Sequence, residues 1–332
     1  MGAEVYGIAL EPNTNPSHYN LLKLNINSHI QDITDPNRIN TTIKNIGPDV
    51  IFHFAAQPLV RLSYVEPYST FNTNIMGTVN VLEASRNLKN LAAVVIITSD
   101  KCYENKEWIW GYRENEPMGG KDPYSASKGC AELVVNAYRN SFFNLNDFGN
   151  KHNVLIASAR AGNVIGGGDW SLDRLIPDLM KNASKNKITE IRYPNATRPW
   201  QHVLEPLSGY LLLGEKLLQG KTDLAEGWNF GPDSSNNLTV LQLIKKTMDF
   251  WEEIKFTVTE NEHPLESGLL MLDSSKAKKS LNWQPVWEIE PTIKSTVDWY
   301  YEFYNSGEVK TLHDIISYVN DAAQKGVIWA KK

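Results

Sequence analysis

Cysteine is scarce: Cys102 and Cys130 are the only two in 332 residues. Two thiols build neither a disulfide framework nor a four-thiolate zinc site, so a reducing cytoplasm is the expected setting. Cationic excess is lacking as well. Against 33 Lys and Arg stand 38 Asp and Glu, a formal net charge of −5. That balance supplies no field to draw the chain onto nucleic acid or an anionic membrane. The longest apolar runs, such as Leu91–Ile97, are far too short to cross a bilayer. The opening Met1-Gly2-Ala3-Glu4 shows neither the basic nor the apolar region of a leader peptide. Absent too are His-Glu-x-x-His, Cys-x-x-Cys, Gly-x-Ser-x-Gly and a phosphate loop ending in Gly-Lys-Ser/Thr. Zinc hydrolysis, thiol redox, acyl transfer and P-loop chemistry are therefore not expected. The seven histidines do not cluster, and no metal site is expected.

What is present is ordinary globular composition, 42% hydrophobic and 21% charged, over a length that suits two lobes. Short apolar runs alternate with amphipathic stretches in the first half. Strands are expected at Ala3–Ala9, Val50–Ala55, Ala92–Thr98 and Val154–Ala159. Helices are expected at Pro36–Asn45, with Asp35 as N-cap, and over the longer stretches Pro67–Leu88 and Tyr124–Phe143. Such alternation argues for crossover units and a parallel α/β sheet. After Gly166-Gly167-Gly168 the texture changes. Helices at Leu172–Ser184, Pro206–Gln219 and Val240–Glu252 mix with short strands near Ile191, Trp228 and Phe256. The expected division is a first domain over 1–165 and a smaller mixed lobe over 166–332, with segments such as 200–220 returning to the first.

Three groups of residues carry chemistry. Tyr124 and Lys128, in Tyr124-Ser-Ala-Ser-Lys128, share one helix face. A cation beside a phenol lowers a pKa that is ordinarily about 10, which suits acid–base work on a hydroxyl. The spacing alone is weak, since Tyr19-Asn-Leu-Leu-Lys23 matches it with no strand before it. The second match follows an apolar strand ending in Thr98-Ser99-Asp100-Lys101, at the carboxyl edge where open α/β sheets place their sites. Ser99, Tyr124 and Lys128 make a hydroxyl–phenol–ammonium relay. Asp100 and Lys101 add an acid and a base beyond what an alcohol oxidation requires, or else a solvated loop with a capping Asp. In the third group, Thr197-Arg198-Pro199-Trp200-Gln201-His202-Val203, Arg198 joins Arg192 either as forks for a diphosphate or as surface arginines. His53 reads as a core histidine, Cys102 and Cys130 as small buried hydrophobes.

Six segments resemble a known family. They are His53-Phe-Ala-Ala-Gln57, Asn74-Ile-Met-Gly-Thr-Val-Asn-Val-Leu-Glu-Ala84, Thr98-Ser-Asp-Lys-Cys-Tyr103, Tyr124-Ser-Ala-Ser-Lys128, Asn163-Val-Ile-Gly-Gly-Gly-Asp-Trp170 and Thr197-Arg-Pro-Trp-Gln-His-Val-Leu-Glu-Pro206. The resemblance is to the extended short-chain dehydrogenase/reductases and, within them, the nucleotide-sugar 4,6-dehydratases, from residue 2 to about residue 305. Asp100-Lys101, where the dTDP and GDP branches carry Asp-Glu, resembles the CDP-sugar branch. The resemblance implies a Rossmann-like doubly wound parallel sheet with a smaller substrate lobe. It implies NAD as cofactor and CDP-glucose as substrate, in a homodimer or dimer of dimers. Tyr124 would take the C4 hydroxyl proton, Lys101 the C5 proton, and Asp100 would protonate the departing C6 hydroxyl. Lys128 would hold the nicotinamide ribose and tune Tyr124. Asp32 and Ile33 match the adenine side of the cofactor, and Ala55, Ala56, Gln57 and Asn74 line the dinucleotide. Asn163, Asp169, Arg174, Arg192, Arg198 and Glu266 match the nucleotide-sugar side.

The family also opens with a strand, a Gly-x-x-Gly-x-x-Gly loop and a helix, whose amides and N-terminus hold the pyrophosphate. This sequence opens in what matches the second strand, and Gly166-Gly167-Gly168 has the wrong place and spacing to substitute. The expectations are a truncated or mis-assigned start, a gap in the sheet, poor solubility and NAD affinity too low for calorimetry. Two other readings stay open beside the dehydratase: an epimerase or reductase on the same scaffold, and a non-catalytic remnant or binding module.

Overall fold

Strands and helices alternate through the first half, as the hydrophobic pattern requires. The computed structural model describes residues 2–86, 88–233, 237–259 and 268–330. In it β1 (Tyr6–Ala9), β2 (Asn27–Ile30), β3 (Val50–His53), β4 (Ala93–Ile97) and β5 (Leu155–Ala161) run parallel to their sheet neighbours. Between them lie α1 (His18–Leu22), α2 (Pro36–Ile46), α3 (Val60–Val65), α4 (Pro67–Phe71), α5 (Gly77–Ser85) and α6 (Pro123–Ser141). Asp35 caps α2 by accepting the amides of Asn37 and Arg38. Asp122 caps α6 through the amide of Ser125. Both caps fill N–H groups that a helix start leaves orphaned.

The stretch expected to be one helix from Pro67 is instead α4, a π-helical turn at Asn72–Met76, and α5. The turn contains Asn74, whose side chain is spent elsewhere: Oδ1 accepts the Gln57 amide at 2.8 Å, and Nδ2 donates to the Gln57 carbonyl and to Ser127 Oγ. A π-turn of this kind often marks a functional neighbourhood.

The second half contributes β6 (Val164–Ile165), α7 (Leu175–Ala183), β7 (Ile188–Ile191), β8 (Thr197–Pro199), β9 (Gln201–His202), α8 (Leu204–Leu218), β10 (Gly227–Phe230), β11 (Asn237–Thr239), α9 (Val240–Met248) and β12 (Lys255–Val258). Then come α10 (Ser275–Ser280), α11 (Ile289–Ser306) and α12 (Thr311–Gln324). The periodicity reading assigns no long helix beyond Glu252, so α11 and α12 are additions. The main sheet has the order β10-β5-β4-β3. β10 therefore returns to the first lobe, and α8 covers it: Tyr210, Leu213 and Leu217 pack with Ala157, Ala159, Trp228 and Phe230. A second core joins Ile165, Leu179, Ile191, Leu243, Ile244 and Trp299.

β1 and β2 form a separate two-stranded sheet, so the parallel sheet is interrupted between β1 and β3. Apolar packing bridges the interruption. Ile39 and Ile43 of α2 meet Val81 and Ala84 of α5, with Ile8 of β1 and Ile51 of β3 against them. Ile33 belongs to this core at 7% exposure.

The glycine triplet serves packing. A Cβ at Gly167 would stand 2.0 Å from the Trp299 ring, and Gly168 has φ +84° with the His18 ring 2.4 Å from its would-be Cβ. Only glycine permits that approach.

Glu205, at the start of α8, ties the C-terminal segments down. Its carboxylate accepts the amides of Val286 and Trp287 and the Tyr318 hydroxyl. Burial nevertheless pushes its pKa up to about 7. A carboxyl that holds its proton more tightly folded than unfolded favours the folded state at low pH. That advantage is lost as pH rises from the unfolded value of about 4.3 through the folded value of about 7. We expect denaturant stability to fall from pH 5 to pH 8, by an amount on the order of 2–3 kcal/mol from this group. Glu205→Gln should flatten that dependence. An unchanged fall in the variant would assign the titration elsewhere.

Candidate active site

The carboxyl ends of β4 and β5 and the start of α6 meet the second lobe around one cavity of about 560 Å³, ample for a nucleotide-sized ligand. β4 ends at Ile97, and the chain turns through a single 3₁₀ turn at Asp100–Cys102, capped by Ser99. Ser99 Oγ donates to Asp100 Oδ1 at 2.9 Å and accepts the Lys101 amide at 3.2 Å. Ser99, Asp100, Lys101 and Tyr124 all line the cavity.

Asp100 is 2% exposed, and its Oδ2 has no hydrogen-bond partner. Burial raises its pKa, against the opposing pull of Lys101, Ser99 and Arg198. A carboxyl so placed is a proton donor in waiting.

Tyr124 differs from expectation. Burial dominates and pushes its phenol up to about 12, while the hydrogen bond with Ser99 and the charge of Arg174 pull it down. Lys128 is not the partner that tunes it here. The Lys128 ammonium, 6% exposed, donates to the Ile97 carbonyl at 3.5 Å, and burial lowers it to about 8. Tyr124 and Lys128 still share one face of α6, and its amide end is steadied by Ser63 of α3, whose Oγ accepts the Tyr124 N–H.

One turn further along α6 is a residue the sequence reading passed over. Glu132, 4% exposed, accepts from Thr98 Oγ1, Ser158 Oγ, and the Nε and Nη2 of Arg160. Arg160 Nη1 donates onward to the Tyr103 hydroxyl at 2.6 Å, which donates to Asn229. This buried pair locks α6 to the ends of β4 and β5, and so holds Thr98 beside the reactive triplet. Spacing was the available signal, since Tyr124, Lys128 and Glu132 recur every fourth residue. Glu132→Ala should leave Arg160 buried and unpaired, at a cost of about 3–5 kcal/mol. A denaturation midpoint within error of the parent would refute that.

The substrate-side expectations divide. Asn163, Asp169, Arg174, Arg192 and Arg198 line the cavity. Arg192 pairs with Asp173 at 3.4 Å, and Arg174 with Asp169 at 3.5 Å. Arg198, 3% exposed, donates to the carbonyls of Thr197 and Gly268. Glu266 lies outside the described residues.

Asp32 is exposed just after β2, while Ala55, Ala56 and Gln57 follow β3 half-buried. Two of the expected cofactor residues are buried. Asn74 is 2% exposed and its amide is consumed by Gln57 and Ser127, so it positions Gln57 rather than lining a groove. The Ile33 side chain packs into the core between α2 and α5. His53 is a core histidine as expected, bonded to Thr78 Oγ1 at 3.2 Å. Among the described residues no cluster of His, Cys, Asp or Glu could hold a metal, and no helix is long and apolar enough to cross a membrane.

Comparison with known proteins gives a consistent picture. The family model described as GDP-mannose 4,6 dehydratase matches residues 2–296. A CDP-glucose 4,6-dehydratase of Salmonella typhimurium is 50% identical over 303 residues, 90% of this chain and 84% of that protein. UDP-glucuronic acid 4-epimerase of Bacillus cereus, solved with UDP-glucuronic acid and NAD, superposes with a TM-score of 0.76 at 21% identity, covering 91% of this chain and 92% of that one. A dTDP-glucose 4,6-dehydratase of Streptomyces venezuelae, solved with NAD, superposes with a TM-score of 0.70 at 23% identity, covering 87% and 83%. The two structures share the fold.

Proposed function

This chain belongs to the GDP-mannose 4,6 dehydratase family, and we propose that it converts CDP-glucose to CDP-4-dehydro-6-deoxyglucose with NAD. The base is taken from the relative that is 50% identical over 90% of the chain. The observation that carries the elimination step is Asp100. A buried carboxyl with a free Oδ2 on the cavity wall beside Lys101 has no task in an oxidation or an epimerisation.

The residues present fit the nicotinamide-ribose end of the cofactor. The one described contact of the buried Lys128 ammonium is a long one, to Ile97, which leaves N–H donors for ribose hydroxyls. Asp32 and the backbone of Ile33 would hold the adenosine end, Ala55, Ala56 and Gln57 the middle, and Tyr124 and Lys128 the nicotinamide ribose. When bound, NAD would supply the hydride acceptor for C4 and the hydride donor for C6. Tyr124, relayed by Ser99, takes the proton of the C4 hydroxyl. The 4-keto group then acidifies C5, and Lys101 removes that proton and gives it back to C5 when C6 receives the hydride. Asp100 donates its proton to the C6 hydroxyl, which leaves as water.

Incubation with CDP-glucose and NAD tests the reading. A 4-keto sugar absorbing in alkali supports it. An isomeric CDP-hexose would make the chain an epimerase, and no change a binding module. A cytoplasmic setting belongs to the same reading; Cys102 and Cys130 are free thiols.

A homodimer is also part of this proposal, formed by the α4–α5 stretch and α6 as a four-helix contact. Its support is outward-facing apolar surface, with Tyr68 83%, Met76 47% and Leu133 58% exposed. Light scattering should give twice the chain mass at micromolar concentration. A monomer there would refute it.

A further inference from the structure

An ion pair among the residues lining the cavity ties α3 to the loop before α7. Arg61, in the first turn of α3, places Nη1 2.6 Å from Asp173 Oδ1, on the loop before α7. The same Oδ1 lies 3.4 Å from Arg192 Nη1. All three residues line the cavity. Arg61 and Asp173 are half exposed, at 50% and 44% of their side-chain areas, so the pair contributes little to folding. Asp173 also has φ +58°, a left-handed backbone that Asp and Asn adopt more readily than other side chains. A carboxylate on the cavity lining that gathers two guanidinium groups on one oxygen points to a role for the carboxylate.

We propose that Asp173 is a resident counter-ion that holds Arg61 and Arg192 in place, and that the diphosphate of the nucleotide sugar displaces it to take both arginines. Arg61 is then a substrate-binding residue contributed by α3. The inference rests on the nucleotide-sugar reading and deepens it. Guanidinium forks bind carboxylate and phosphate oxygens with the same geometry, so one anion exchanges for the other without rebuilding the site. The exchange transfers the tie between α3 and the loop before α7 from the protein to the ligand. It also leaves the Asp173 carboxylate as a charge that opposes the bound diphosphate, an influence favouring release.

Calorimetric titration of CDP and of cytidine into the parent chain, Arg61→Ala and Asp173→Asn tests this. Arg61→Ala should weaken CDP about tenfold or more, the effect of one charge-assisted contact, and leave cytidine unchanged. Asp173→Asn should tighten CDP severalfold, because the competing carboxylate is gone. Arg61→Lys, a point charge without the fork, should fall between parent and alanine. Equal losses for CDP and cytidine in Arg61→Ala would show a disturbed site rather than a lost phosphate contact. Weaker CDP binding in Asp173→Asn would make the aspartate a loop anchor. Either result overturns the counter-ion assignment while leaving the substrate reading intact. A parent chain that binds no CDP at all overturns the substrate reading and the clamp with it.

Discussion

Replacing Tyr124 by phenylalanine should slow turnover of CDP-glucose a hundredfold or more. General acid–base groups typically contribute about 10²–10⁴ in rate, and no other side chain in the proposed mechanism accepts the C4 proton. Burial places the phenol near 12, so the reactive phenolate is scarce at neutral pH and the first step depends on whatever stabilises it. Ser99, by its hydrogen bond, and Arg174, by its charge, do so within the chain, which makes Ser99→Ala a milder version of the same defect. The phenol sits in the site and not in the core network around Glu132, so folding should be nearly unaffected. Single-turnover reduction of NAD by CDP-glucose is the direct measurement. Near-normal reduction in Tyr124→Phe would move the base to another residue.

Lys101→Ala should abolish net dehydration while sparing hydride transfer, with an overall loss again on the order of a hundredfold or more. Oxidation at C4 then proceeds and stops. Reduced cofactor accumulates, and exchange of the C5 hydrogen with solvent deuterium is lost. Asp100→Asn separates the next step. Its carboxyl is 2% exposed with Oδ2 unpartnered, so the amide fits the same space but donates no proton to the C6 hydroxyl. C5 exchange should persist in that variant and water loss should not. Both variants exchanging at the parent rate would dissociate Lys101 from the base role. Both losing exchange equally would mean that the turn at Asp100–Cys102 acts only as a structural unit.

The sequence by itself determined the local elements whose causes are local. A capping Asp before Pro predicts the start of α2, and the apolar run Ala93–Ile97 predicts a strand covered on both faces, because those signals depend on neighbours in the chain. It also singled out the proposed reactive set. Ser99, Asp100, Lys101 and Tyr124 are legible because a strand end and a helix start are each short motifs, and the cavity brings them together. Tertiary structure decided the rest. The π-turn at Asn72–Met76 answers to Gln57, which lies remote in sequence, so no helical periodicity reveals it. The direction of the Tyr124 shift was misread from spacing, since a Lys four residues away predicts a lowered phenol while desolvation by the whole fold raises it. The same holds for Glu132 with Arg160 and for Arg61 with Asp173, separated by 28 and 112 residues. Charges so far apart in the chain become partners only once the fold packs their elements together, and what each does is set by burial and by the partner the fold supplies.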